Sequence, residues 1–269
     1  MKNNSTLNIQ HSTSKNVLVT GGAGEIGSAI CKKFAENGFS VIATYHSNST
    51  KAEKLLGELN QLPVTNNQST NHSIFHAPTT DAQKVNDLKA FVAEKYGKVD
   101  VLVNNAGITT PVPHDDLDGL TDEWIDKIMQ TNFRGSFAMV RATKDLLERA
   151  SDESNESSLV VNISSIAGIY GIGSNVAYCA SKSAIDSMTR SLARALAPKI
   201  RVVSVSPGFV EGEYTKKFDP KFLQNQMDNT PLGRFATGVD VANVVYSLAT
   251  TMTFSTGNII TVDGGRLLK

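Results

Sequence analysis

The sequence predicts an α/β protein: one domain with a doubly wound parallel sheet of about seven strands, flanked by helices on both faces. Three observations carry that expectation. Short β-branched runs alternate with longer amphipathic stretches along nearly the whole chain. The runs are apolar throughout, without the in-out alternation of a sheet wetted on one side, which suits parallel strands covered on both faces. A glycine-rich stretch joins the first run to the first helical stretch, as in dinucleotide-binding βαβ units.

Residues 1–15 are polar and aperiodic and read as a flexible tail, leaving 16–269 as the domain. The strand runs are Val17–Val19, Val41–Ala43, Val99–Val103, Leu159–Ile163, Arg201–Val205 and Asn258–Val262. Between them lie helical stretches. One begins at Thr121, an N-cap residue followed by Asp122 and Glu123, and repeats apolar residues at Ile125, Ile128, Met129, Phe133, Phe137 and Val140. That face is expected to pack on the sheet. The polar segments 63–73 and 151–158 have no apolar period and read as surface loops.

Composition narrows the function. The 269 residues carry 26 Lys plus Arg against 26 Asp plus Glu, so no basic surplus is present for a phosphate backbone, and nucleic acid is not an expected partner. No apolar run approaches the roughly 18 residues of a membrane span, and no secretory signal precedes the first strand, so the expectation is a soluble cytoplasmic protein. Cys31 and Cys179 are too few for a disulfide framework and default to reduced thiols. The five histidines never pair at i,i+4, and no metal site is expected.

The turn after the first run is Thr20-Gly21-Gly22-Ala23-Gly24-Glu25-Ile26-Gly27. Glycines there let the backbone approach a pyrophosphate, while the helix N-terminus supplies oriented N–H groups and the positive end of a dipole. Thr20, Gly21, Gly24, Glu25, Ile26 and Gly27 are therefore candidate cofactor residues. The second run ends Thr44-Tyr45-His46-Ser47-Asn48 with no carboxylate to claim a free ribose hydroxyl. NADP(H) is expected in preference to NAD(H), with His46, Ser47 and Lys51 near the ribose phosphate; alternatively His46 is an ordinary solvated histidine.

Four further motifs follow in order: Asn104-Asn105-Ala106-Gly107, Ile163-Ser164-Ser165, Tyr178-Cys179-Ala180-Ser181-Lys182 and Ser206-Pro207-Gly208. Tyr178 and Lys182 are four apart and share one helix face, where an ammonium makes the phenol a better acid and a usable base. Asn132, inside the helix from Thr121, is costly unless its amide is satisfied.

With the glycine-rich turn, this set resembles the classical short-chain dehydrogenase/reductase family over residues 16–265, nearest its 3-oxoacyl-carrier-protein reductase-like members. The resemblance implies a catalytic set of Asn132, Ser165, Tyr178 and Lys182. In that set Tyr178 is the acid, Ser165 binds the substrate carbonyl, Lys182 also holds the nicotinamide ribose, and Asn132 supports a water that relays protons to Lys182. It further implies that Asn105, Ala106 and Gly107 line the adenosine side, that Pro207, Gly208 and Val210 wall the nicotinamide, and that the assembly is a homotetramer or homodimer. The expected activity is reduction of a small-molecule ketone or 3-oxoacyl group. The rival reading is an NADP-binding sensor or scaffold without turnover. Enoyl reductases of the same fold widen the Tyr–Lys spacing, which is short here.

The chain departs from the family at two places. Glu25 stands where a glycine is usual, and it is expected to point outward, away from the pyrophosphate. Pro78 stands where an aspartate is usual near adenine, which leaves Ala77 and Thr79 to serve. Residues 211–232 fall at the family's mobile substrate lid; there Tyr214, Phe218, Phe222 and Met227 either wall the substrate or simply pack two short helices.

Overall fold

A computed structural model describes residues 14–63, 70–213 and 215–268, apart from the side chain of Lys217. Its strands are β1 (Asn16–Val19), β2 (Ser40–Tyr45), β3 (Ser73–His76), β4 (Val101–Asn104), β5 (Ser158–Ile163), β6 (Ile200–Pro207) and β7 (Ile259–Val262). They form one sheet in the order β3-β2-β1-β4-β5-β6-β7. Every neighbouring pair is parallel. The order reverses between β1 and β4, and a parallel α/β sheet opens its ligand crevice beyond the carboxyl ends of the strands at such a switch point.

The helices are α1 (Glu25–Glu36), α2 (Ser49–Leu59), α3 (Ala82–Lys95), α4 (Asp122–Met129), α5 (Gly135–Ser154), α6 (Ile166–Tyr170), α7 (Val176–Leu196), α8 (Pro220–Asp228) and α9 (Gly238–Thr250). Because strand side chains alternate, β1 feeds two cores. Val17 and Val19 join Ile30 and Phe34 of α1 and Val241 and Val245 of α9 on one face. Leu18 joins Leu88 and Val92 of α3 and Met139 and Leu146 of α5 on the other. Full burial of each such side chain contributes about 1.5–3 kcal/mol relative to exposure.

Three expectations shift. A seventh strand, β3, pairs with β2 at the sheet edge, starting at Ser73, the last residue of the expected loop 63–73; of that loop, residues 64–69 lie outside the described residues. Its four residues are only partly buried and too short to stand out as a run. The expected loop 151–158 is shorter: its first half, 151–154, ends α5, which stops where Asn155 turns left-handed at φ 57°, a conformation asparagine tolerates, and Ser158 opens β5. Ser14, assigned to the tail, is 2% exposed and shares a hydrogen bond with Ser40 across 3.1 Å; residues 1–13 of that tail lie outside the described residues.

The helix expected from Thr121 is there, and Thr121 caps it by accepting from Trp124 N at 3.4 Å. It is interrupted at Gln130–Arg134 by a turn of π-helix that carries Asn132. Its buried stripe runs through Ile128, Asn132, Gly135, Ser136, Met139 and Thr143, while Phe137 is 40% exposed beside Arg141. Reading apolar residues as inward-facing placed Phe137 wrongly, because this helix buries polar and small residues under the site.

Candidate active site

A cleft of about 1840 Å³ opens along the carboxyl ends of the strands. Single-ligand pockets run about 300–1,000 Å³, so this one has room for a dinucleotide and a substrate together. Gly21, Gly24, Glu25, Ile26, His46, Ser47, Asn105, Ala106, Gly107, Ser165, Tyr178, Lys182, Pro207, Gly208 and Val210 all line it.

The other three residues assigned to the site lie behind the cleft wall. Thr20 is 1% exposed, and its Oγ1 accepts from Asn105 N and Ala106 N at 3.0 Å each, tying the first turn to the end of β4. Gly27 packs against that same turn: a Cβ on it would lie 2.8 Å from Asn105 Nδ2. Asn132 is fully buried. These residues shape the wall from behind. Gly21 has φ +62° with Ala106 close against it, so the turn requires glycine there.

This glycine cradle fits a dinucleotide. The amino end of α1 begins at Gly24 with no side chain capping it, so its first N–H groups are left for an anion. Glu25 is exposed at the rim of the cleft. Its side chain crosses to the start of the lid, where a Cβ on Gly212 would sit 2.8 Å from its Cγ. Ala77, Pro78 and Thr79 line the cleft just beyond the end of β3.

Around the end of β2, His76 Nε2 donates to the carbonyl of His46 at 2.7 Å. Lys32, Lys51, Lys54 and Glu58 also line this end. Glu58 pairs with Lys32 at 2.7 Å and Lys54 at 3.8 Å, and the Lys32 ammonium holds its carboxyl below the usual range. Three lysines against one carboxylate leave this corner positive. Sequence reasoning missed Lys32 and Lys54; their only signal was helical spacing on α1 and α2 toward the carboxyl end of β2.

The chemical end is built on α7. Asn175 caps it by accepting from Tyr178 N at 2.7 Å, and Asn175 is itself held through Nδ2 to Thr110 O at 2.7 Å. One turn later Lys182 Nζ lies 5.6 Å from the centre of the Tyr178 ring and donates to Ile163 O at 2.8 Å. Burial pushes the Lys182 ammonium down from its ordinary value to about 8, with Asp186 opposing that shift. Ser165 caps α6, its Oγ accepting from Ala167 N at 3.1 Å. That bond uses a lone pair and leaves the hydroxyl proton for a carbonyl oxygen. The cap and the carbonyl-binding role are therefore compatible.

Asn132 ties this end together. Its Oδ1 accepts from Ile108 N at 2.8 Å, and its Nδ2 donates to Ile108 O and Ser181 Oγ at 3.0 Å each. Ser181 Oγ in turn donates to Tyr178 O at 2.8 Å. Above them a Cβ on Gly107 would lie 3.3 Å from Asn132 Oδ1 and 3.6 Å from Lys182 Nζ. Ser181 and Asn175 were not singled out in the sequence; small polar residues beside a motif carry no distinct pattern.

Over the mouth, the segment expected as the lid consists of a short 3-10 turn (Thr215–Lys217) and α8, and no residue of α8 is buried. Phe218 and Phe222 stack at 5.4 Å and line the cleft, whereas Met227 does not line it. Tyr214 lies outside the described residues. Both cysteines are buried and free, and burial pushes Cys31 up to about 12. Among the described residues no helix is long and apolar enough to cross a membrane, and no three His, Cys, Asp or Glu gather as metal ligands.

The comparisons agree with this architecture. A family profile described as "Enoyl-(Acyl carrier protein) reductase" matches residues 21–266. A 3-oxoacyl-[acyl-carrier-protein] reductase FabG of Thermotoga maritima is 34% identical over 253 residues, covering 93% of this chain and 97% of that protein. A solved short-chain dehydrogenase/reductase from Burkholderia xenovorans superposes with a TM-score of 0.87 at 31% identity, over 96% of this chain and 100% of that one. An NADH-dependent reductase A1-R′ responsible for alginate metabolism superposes with a TM-score of 0.81 at 26% identity, over 94% of this chain and 97% of that one. With the sheet order, the glycine turn and the Ser165–Tyr178–Lys182 geometry in place, the chain belongs to the short-chain dehydrogenase/reductase family of oxidoreductases.

Proposed function

We propose that this protein reduces a ketone or 3-oxoacyl carbonyl to a secondary alcohol, with NADPH preferred over NADH and with Tyr178 as the general acid. The observation that carries the proposal is the buried Lys182 ammonium set 5.6 Å from the Tyr178 ring, in the same cleft as a Ser165 hydroxyl free to donate. When bound, the nicotinamide supplies the hydride; the chain does the rest. Ser165 donates to the carbonyl oxygen and orients it. Tyr178 O–H gives that oxygen its proton as negative charge develops there. Lys182, held by Ile163 O, stabilises the phenolate left behind and recruits the next proton. Asn132 keeps Ile108 and Ser181 in place on either side, and its family role in a water relay to Lys182 belongs to the same proposal.

The relatives' names divide between an acyl-carrier 3-oxo substrate and an NADH-dependent reductase. The residues favour a phosphorylated ribose: the end of β2 carries no carboxylate, and Lys32, Lys51 and Lys54 outnumber Glu58 there. The short Tyr178–Lys182 spacing favours carbonyl over enoyl reduction. Cytoplasmic location and a homotetramer, or homodimer, complete the proposal.

The test follows cofactor oxidation at 340 nm with NADPH and NADH side by side, against acetoacetyl thioesters, quinones and keto sugars. Turnover at least about tenfold more efficient with NADPH is expected, about one charge-assisted hydrogen bond's worth. Tight binding of cofactor without turnover of any carbonyl would support the sensor reading instead.

A further inference from the structure

We propose that Arg266 is an anion-binding residue of the substrate pocket, and that the substrate is an oxo acid carrying a carboxylate remote from the carbonyl to be reduced. The inference rests on the reductase reading for the carbonyl end and adds the other end of the molecule.

Arg266 opens the short turn Arg266–Leu268 after β7, and its half-buried side chain lines the same cleft as Ser165 and Tyr178. Two of its five N–H donors are spent on one lid residue. Nη1 donates to Gln226 O at 2.8 Å and Nη2 to Gln226 Oε1. Both acceptors are neutral, and among the described residues no carboxylate forms an ion pair with this guanidinium. Asp263, three residues earlier, directs its oxygens to the backbone N–H groups of Gly265 at 3.3 Å and Leu267 at 3.0 Å. A half-buried guanidinium with neutral partners keeps its charge and its remaining N–H donors for an oxyanion in the cleft. The planar fork matches a carboxylate through two parallel hydrogen bonds.

Placement makes the site part of substrate recognition. Tyr170 OH donates to Leu267 O at 3.4 Å, so the arginine's turn is fastened to α6, the helix that Ser165 caps. Gln226 lies one turn beyond Phe222 on α8, so the guanidinium is fastened to the lid as well. The cleft thus presents a carbonyl-orienting hydroxyl, an apolar wall of Phe218 and Phe222, and a prealigned cation. Lys182, which lines the cleft beside Tyr178, is committed to Ile163 O.

The test is calorimetric titration with 2-, 3- and 4-oxo acids of four to six carbons and, in parallel, their methyl esters, with NADP+ or NAD+ present. Wild-type protein, Arg266→Met and Arg266→Lys are compared, and steady-state kinetics follow on the same set. The wild type is expected to bind at least one acid about 10- to 100-fold tighter than its ester. Arg266→Met should remove that advantage by raising Kd and KM for the acid at least about tenfold more than for the ester. Arg266→Lys, which keeps the charge but not the fork, should recover part of it. Acid and ester binding alike across the series, or the Met variant weakening both equally, would overturn the proposal. Acid-selective binding without cofactor oxidation would uphold the anion site and overturn the reductase reading. Turnover of esters as efficient as acids would do the reverse.

Discussion

The floor of the cleft and its lid are built on opposite principles. On the floor, Thr20, Asn132, Asn175 and Ser181 are almost wholly buried, and each makes two or more hydrogen bonds that fix a neighbouring residue of the cleft. The lid's α8 buries none of its residues and meets the body through aromatic faces and the Gln226–Arg266 contact. Over-determined geometry suits a reaction that needs a proton donor held in place. A helix with little burial is inexpensive to move, which suits substrate entry and choice. The proposed function puts the chemistry on the floor and the selectivity in the lid, and substitutions in the two should separate kcat from KM.

The largest separation is expected at Lys182. Lys182→Met keeps much of the stem's volume and removes the cation, and should lower kcat/KM for reduction by about 10²- to 10³-fold, within the range of general acid-base contributions. The wild-type pH profile carries the same residue's signature. Its folded value, about 8, lies below its ordinary 10.5, so the ammonium is present below that pH and lost above it. Reduction should fall as pH rises through about 8, and the Met variant should lack that break. The stability effect runs the other way. Between 8 and 10.5 the unfolded chain binds more protons at this residue than the folded one, so its contribution to stability rises with pH over that window. Melting curves across the window would check the sign.

A smaller effect is expected at Asn132. Asn132→Ala leaves the partly buried Ile108 N and Ile108 O without their partner, which costs about 1–3 kcal/mol for each group left unsatisfied, while Ser181 Oγ keeps its bond to Tyr178 O. Thermal denaturation should show a lower Tm, and kcat should fall more than KM rises. Smallest is the lid. Phe222→Ala removes a 41% exposed ring that stacks on Phe218. It should change stability by less than about 0.5 kcal/mol, as exposed positions do, while raising KM severalfold at unchanged kcat. A lid variant that reduced kcat as much as Asn132→Ala would erase the distinction between the two regions.

The same contrast explains what the sequence revealed. The sheet was legible because six of its strands are apolar on both faces, and the floor because Tyr178, Lys182 and Ser165 stand at spacings tied to strand ends and a helix turn. Strand β3 was hidden by its shortness and edge position. The π-turn was hidden because nothing in Gln130–Arg134 marks an inserted residue in a helix, and it carries Asn132, whose amide ties Ile108 to Ser181 of α7. Phe137 misled because apolarity was taken for burial, whereas that helix buries Asn132, Gly135 and Ser136 beneath the site. Arg266 and the lysines of the adenosine end come from distant segments, and only the folded chain brings them to one cleft.

The account turns on a phenol that gives its proton to the carbonyl oxygen. The most direct measurement is single-turnover reduction by Tyr178→Phe, with cofactor binding followed separately by fluorescence. Lost proton donation with intact packing predicts unchanged cofactor affinity and Tm, and a hydride-transfer rate at least about 10²-fold slower. A variant that reduces substrate at the wild-type rate would contradict it.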